Sequence, residues 1–300
     1  MLSDGGNAQN EDNRKLFLLT FLPPTIWIVL FLLVPTVIII VYSFSQKDGL
    51  INIQLTWVLD NYRRVADPLY LKIFIKSIYI AGITTFFCLV ISFPVALSIT
   101  KIQQNWRLTV LILLMLPFWI NLLIRTYALI AVLRTRGVLN SGLEWFATRM
   151  GIAFEPIPFL YNDAAIIIGL VYIHLPFMIL PIYAGLEGFD ETLKQAAEDL
   201  GSSTVQLYRY IVLPLIRPSV IAGCMLVFIP ALGSYLTPEL LGGTDGQLIA
   251  NVIERQFKRA NDWPFGAALS MVLIYLTCGA ITAWLVISKR KQNPGKEKLR

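Results

Sequence analysis

The stretch AAIIIGLVYIHLPFMILPIYAGL, residues 164–186, contains no Asp, Glu, Lys or Arg. At about 1.5 Å of rise per residue it makes a helix long enough to cross a hydrocarbon core of about 30 Å. It runs directly into EGFDETLKQAAEDLGSSTVQLYRYI, residues 187–211, where charged, small and hydroxyl side chains alternate. An apolar crossing followed by a polar connection of this length sets the reading of the whole chain: helices in lipid, and one structured loop in water.

Five further runs read like the first: residues 25–44, 77–100, 108–133, 212–233 and 265–288. Hydrophobic residues make up 56% of the chain and charged ones 15%, whereas soluble domains are more evenly balanced. The expectation is an all-α membrane protein with six transmembrane helices in residues 16–288. A polar tail, 1–15, is expected to be disordered, and a basic tail occupies 289–300. The first run is too long for a signal-peptide core and no A-x-A site follows it, so it reads as a retained span. Cys88, Cys224 and Cys278 each fall inside a span and read as small buried side chains rather than a disulfide or metal set.

The net charge of +6 does not indicate nucleic acid. Lys289, Arg290, Lys291, Lys296, Lys298 and Arg300 crowd the C-terminus against the single acid Glu297. An even number of spans puts both termini on one side, and this tail argues for the cytoplasm. Lys101 and Arg107, in the short connection between the second and third runs, agree. Outside then lie 45–76, 134–163 and 234–264, the last with a possible surface helix at 248–257. Pro35, Pro94, Pro117, Pro176, Pro181 and Pro230 interrupt five spans. Such breaks survive in lipid where neighbouring helices or a wet cavity satisfy the freed carbonyls. They read as kinks or as a translocation path.

The polar loop 187–211 has room for two short helices. Asp190 is placed to cap the first, with Glu191 adding charge where the helix dipole favours it. Leu193, Ala196, Ala197 and Leu200 then form an apolar stripe at helical spacing, opposite Lys194, Gln195, Glu198 and Asp199. Gly201 stands where a left-handed residue ends a helix. Ser202, Ser203 and Thr204 are placed to cap a second helix, which Pro214 turns into the fifth span. So short a helix is unstable alone. Its stripe packs on a partner, on the bilayer or on its own bundle.

The pattern Q-A-A-x3-G-x9-I-x-L-P, from Gln195 to Pro214, resembles the coupling signature of ABC-importer permeases. The resemblance implies a type I ABC importer permease fold and a loop that fits a groove on a cytosolic ATPase. The family motif often begins with Glu, and Gln195 keeps the hydrogen bonds but loses the charge. The runs Pro117-Phe118-Trp119-x-Asn121-x-x-Ile124-Arg125-x-Tyr127, Pro238-Glu239-Leu240-Leu241-Gly242-Gly243 and residues 262–268, DWPFGAA, are similar to the spermidine/putrescine permeases. That likeness implies import of polyamines across the bacterial cytoplasmic membrane. It also implies a second homologous permease subunit, an ATPase dimer that binds the ATP and Mg, and a periplasmic polyamine-binding protein. The remaining partner is membrane lipid.

This chain has no G-x-x-x-x-G-K-[ST] and so does not cradle ATP itself. No Asp or Glu lies in the core of a span, where ion-coupled carriers keep one. Both facts favour an energised partner over a stand-alone secondary transporter. An importer of another small solute, an amino acid or a metal chelate, remains the alternative. No catalytic or metal-binding constellation is visible. A polycation calls for carboxylates and aromatic faces along a wet path, and Trp119, Asn121, Tyr127, Tyr161, Tyr235 and Glu239 are the candidates. Interfacial aromatics also form the belt of any membrane protein. His174, mid-span, reads as a packing residue or a path residue. Arg125, placed near the outer interface by a straight third span, reads as structural or gating, within reach of Glu144 or Asp163.

Overall fold

A computed structural model describes residues 5–49, 52–244 and 246–292. Lys296, Lys298 and Arg300 of the basic tail lie outside them. The chain divides into two compact units, Pro68–Glu254 and the residues that precede and follow it.

In the flanking unit, α1 (Gly5–Ser43) begins inside the stretch expected to be disordered. A small antiparallel hairpin follows, β1 (Gln46–Asp48) and β2 (Asn52–Gln54), the one departure from an all-α chain among the described residues. Then come α2 (Asp60–Val65) and, at the far end of the sequence, α14 (Trp263–Gln292). Arg64 fastens α2 to the start of α14: its guanidinium is 3.0 Å from Asp262 Oδ2 and 3.9 Å from the centre of the Phe265 ring. Asp262 also caps α14, its Oδ1 accepting from the Phe265 amide at 3.2 Å.

The central unit carries the remaining helices. These are α3 (Pro68–Lys101), α4 (Gln104–Met115), α5 (Leu122–Leu133), α6 (Val138–Arg149), α7 (Asp163–Glu187), α8 (Glu191–Asp199), α9 (Thr204–Leu207), α10 (Leu213–Leu215), α11 (Arg217–Leu232) and α12 (Leu236–Leu241). The N-terminal half of α13 (Ile249–Lys258) closes it. Its core lies where α3, α7 and α11 pack, around Cys88, Ala96, Met178, Ile182 and Val227. Small residues permit that closeness. A Cβ on Gly223 would stand 2.7 Å from Met178 Sδ, and one on Gly185 would stand 2.6 Å from Ser219 Oγ.

Among the described residues, three helices are unbroken and long and apolar enough to cross a membrane: residues 19–43 of α1, α3 and α7. Two more candidate spans are bent pairs, and the apolar part of α14, Trp263–Gly279, is the shorter sixth. The bends correct two sequence expectations. Residues 108–133 are not one straight helix: the stretch Gln104–Trp119, α4 and its 3-10 turn, is bent by 92° from the stretch Leu122–Arg149, which holds α5 and α6. Residues 212–233 likewise break at Ile216, by 70°. The prolines correct a third. Pro35, Pro94, Pro176, Pro181 and Pro230 all sit inside continuous helices, and of the six only Pro117 coincides with a break. A proline removes one hydrogen bond, and a packed helix absorbs that loss. The expected surface helix at 248–257 is half interior, since Ile249, Ala250, Asn251 and Val252 are buried.

Candidate functional site

Two places combine irregular backbone with polar or uncovered side chains. The first is the loop after α7. Asp190 Oδ1 accepts from the Thr192 amide at 2.9 Å, so α8 has its cap. That bond from the Thr192 backbone holds the Asp190 carboxyl below its ordinary pKa. Gly201 adopts φ +79°, and the Gly201 and Ser202 amides donate to the Glu198 and Ala197 carbonyls. This is a left-handed helix stop, for which glycine costs least. Ser203 and Gln206 form a reciprocal capping box at the start of α9. A wider π turn, Tyr208–Val212, then precedes Pro214. Proline has no N–H to give the Tyr210 carbonyl, and widening the turn relieves that mismatch.

The stripe expected on α8 divides in two. Ala197 is 5% exposed and packs into the central core with Leu207, Val212 and Ile216. Leu193 is 44% and Leu200 88% exposed, and Ala196 is open with Gln195 and Glu191. One small residue anchors the helix while its apolar neighbours face outward, uncovered by this chain.

The second place is the junction of α5, α7 and α12. The side chains of Leu129, Thr237 and Leu241, one from α5 and two from α12, converge on Gly169 of α7, where a Cβ would collide. Asn121 caps α5 after the bend, its Oδ1 accepting from the Leu123 amide at 2.8 Å. Trp119, in the turn before it, is 86% exposed. Arg125 is buried at 9% exposure, with its guanidinium 4.8 Å from the centre of the Phe118 ring. Its Nε has no hydrogen-bond partner. Asp163 is 2.7 Å from Lys76 and so does not serve Arg125. His174 Nδ1 donates to the Leu170 carbonyl of its own helix at 2.8 Å, which fits the packing reading. Tyr127 points to the exposed face of α5.

Tyr161, Tyr235 and Glu239 gather around α12. The Tyr161 amide donates to the Leu241 carbonyl at 2.8 Å, and Tyr161 holds φ +63° against Gly243. Asn251 of α13 ties the group together: its Nδ2 donates to the Tyr235 carbonyl at 2.7 Å and to Glu239 Oε2 at 3.0 Å. Sequence reasoning missed Asn251, because a lone Asn in an amphipathic stretch carries no signal. It also missed Thr84, Ser92 and Thr237, whose buried hydroxyls have no partner. The runs 117–127 and 238–243 thus supply three different kinds of group: aromatics on an irregular turn, a buried cation, and a carboxylate held by an amide.

The family called binding-protein-dependent transport system inner membrane component matches residues 14–287. The chain belongs to that family. This permease is therefore a multi-pass inner-membrane component of an importer, a transport subunit rather than an enzyme. It is similar to the spermidine/putrescine transport system permease protein PotB of Escherichia coli K12, at 44% identity over 247 residues, 82% of this chain and 88% of that protein. PotB of Salmonella typhimurium SL1344 is 43% identical over the same share of this chain. PotC of E. coli K12 is 32% identical over 126 residues, 41% of this chain. Among solved structures, a bacterial ABC transporter that imports the acidic polysaccharide alginate shares the fold, with a TM-score of 0.75 at 18% identity, covering 95% of this chain and 99% of that one.

Proposed function

We propose that this permease carries polyamines of the spermidine/putrescine class inward, driven by ATP that a partner hydrolyses. The likeness to PotB over four fifths of the chain is the observation that carries the substrate. The assembly holds a second, PotC-like permease, a dimer of cytosolic ATPases with their ATP and Mg, and a binding protein on the outer face. Both termini lie in the cytoplasm. The segment from Asp190 to Gly201, continued to Pro214, docks the ATPase through Leu193, Ala196 and Leu200, while Ala197 holds the helix to its own bundle.

Glu239 fits the substrate best, as a half-buried carboxylate oriented by Asn251 and adjoined by Tyr235 and Tyr161. Trp119, Asn121, Tyr127 and Arg125 line or shape the path at the bend. Arg125 itself repels a polycation and acts as a gate. The test is uptake into vesicles carrying the whole assembly, with ATP and no ion gradient. Glu239→Gln removes one ionic contact worth about 1 kcal/mol and is expected to raise KM for spermidine about fivefold with assembly intact. Unchanged uptake kinetics would reject Glu239, and uptake driven by an ion gradient without ATP would reject the importer mechanism.

A further inference from the structure

Two routes lead from α8 into the central unit. One follows the chain through α9 and the π turn to α11, by way of Leu207, Val212 and Ile216. The other is not covalent and runs through Arg107. Its Nη2 donates to the Thr100 carbonyl at 2.6 Å and its Nε to the Ile102 carbonyl at 3.0 Å, at the C-terminal end of α3, where helix carbonyls lack partners. Its Nη1 stands 3.7 Å from Glu187 Oε1. Glu187 is the last residue of α7, three before the α8 cap, and Tyr183 Oη donates to the same carboxylate oxygen at 2.6 Å. One guanidinium therefore joins the end of α3, the start of α4 and the root of α8. Only a planar fork with several donors reaches all three acceptors.

Apolar packing gathers Ile99, Leu186, Ala197 and Leu207 into one cluster here but leaves a gap beside it. A cavity of about 490 Å³ opens there, lined by Arg107, Glu187, Glu191, Lys194 and Tyr208 among others. Dispersion fades across such a gap, so there the polar tether adds a link that the apolar cluster beside it does not make. Arg107 and Glu187 keep 27% and 48% side-chain exposure, and half-exposed pairs of this kind contribute little to stability. Two carbonyls and a carboxylate from different elements around one guanidinium point to a task other than stability.

We propose that Arg107 is a positioning residue of the transport cycle: through Glu187 it hands the displacement of α8 to the α3–α4 elbow, so that both sides of the bundle move together. The proposal rests on α8 being the helix that docks the ATPase. In vesicles carrying the complete assembly, uptake and ATP hydrolysis are measured together for Arg107→Gln and Glu187→Gln. Hydrolysis is expected to stay within about twofold while solute moved per ATP falls about fivefold or more, the low end of coupling between sites. Arg107→Lys, which keeps the charge and loses the fork, is expected to fall in the same direction but less. An unchanged ratio, or uptake and hydrolysis falling in step, would overturn the proposal. Ala196→Arg separates the two readings: if that variant retains its ATPase, the docking reading fails, whereas an unchanged ratio in Arg107→Gln beside a dissociated Ala196→Arg defeats only the role of Arg107.

Discussion

Helix α8 and helix α5 break the same rule in opposite directions. In α8, Leu193, Ala196 and Leu200 lie open although they are apolar. In α5, Arg125 is buried although it is charged, with an aromatic face and no acid beside it. Surface leucines are ordinary one at a time, but an open stripe on a capped, separately terminated helix is a contact awaiting a partner. A buried guanidinium without an anion costs several kcal/mol in isolation, and such a cost is kept where function needs it. The first violation faces outward and, in the proposed assembly, is completed by another chain. The second faces inward, against Phe118.

The largest effect expected from this contrast is at Ala196. Ala196→Arg places a charge in the middle of the open stripe and should cost about 2 kcal/mol or more of docking energy, roughly thirtyfold in affinity. Co-purification of the ATPase checks this, with an unchanged melting temperature as the control. Ala197, one residue on, cannot serve as that probe, because it is inside the core and an arginine there would disturb the bundle. At Arg125 the expected change in stability is small. Arg125→Met, of similar length, should leave the melting temperature of the assembly unchanged or slightly raised, since an unpaired buried charge is lost. A loss of about 3–5 kcal/mol would instead mean that a neighbouring subunit supplies an anion to it.

The smallest effect is at Asp190. Its carboxyl titrates below the ordinary carboxylate value because the ionised form accepts the Thr192 amide. A depressed folded-state pKa gives stabilisation that is present above the unfolded value, about 4, and lost as pH falls through the folded one. Protection of the Thr192 amide from hydrogen exchange should therefore weaken below about pH 4. Asp190→Asn, which caps without a charge, should abolish that pH dependence while keeping the protection.

The loop after α7 was legible residue by residue because its signals are local. A cap, a glycine stop and a capping box are set by neighbours within four positions, and Asp190, Gly201 and Ser203 all stand where those rules put them. The bend at Leu116–Asn121 was not legible. Pro117 looked no different from five other prolines, and nothing nearby marks which proline the packing leaves unsupported. The burial of Arg125 was not legible either, since counting positions along a straight helix does not say what packs around a residue once the chain bends.

Taken alone, the amino-acid order determined the solvent, the number of crossings and the form of the loop after α7, because lipid demands long apolar helices and caps act over a single turn. Only the tertiary structure decided which side of α8 is anchored, that Asn251 holds Glu239, and that Arg107 bridges α3 to the root of α8. Those facts depend on residues 12 (Glu239 and Asn251) to 80 (Arg107 and Glu187) positions apart or on the direction a short helix faces, and no local pattern encodes either.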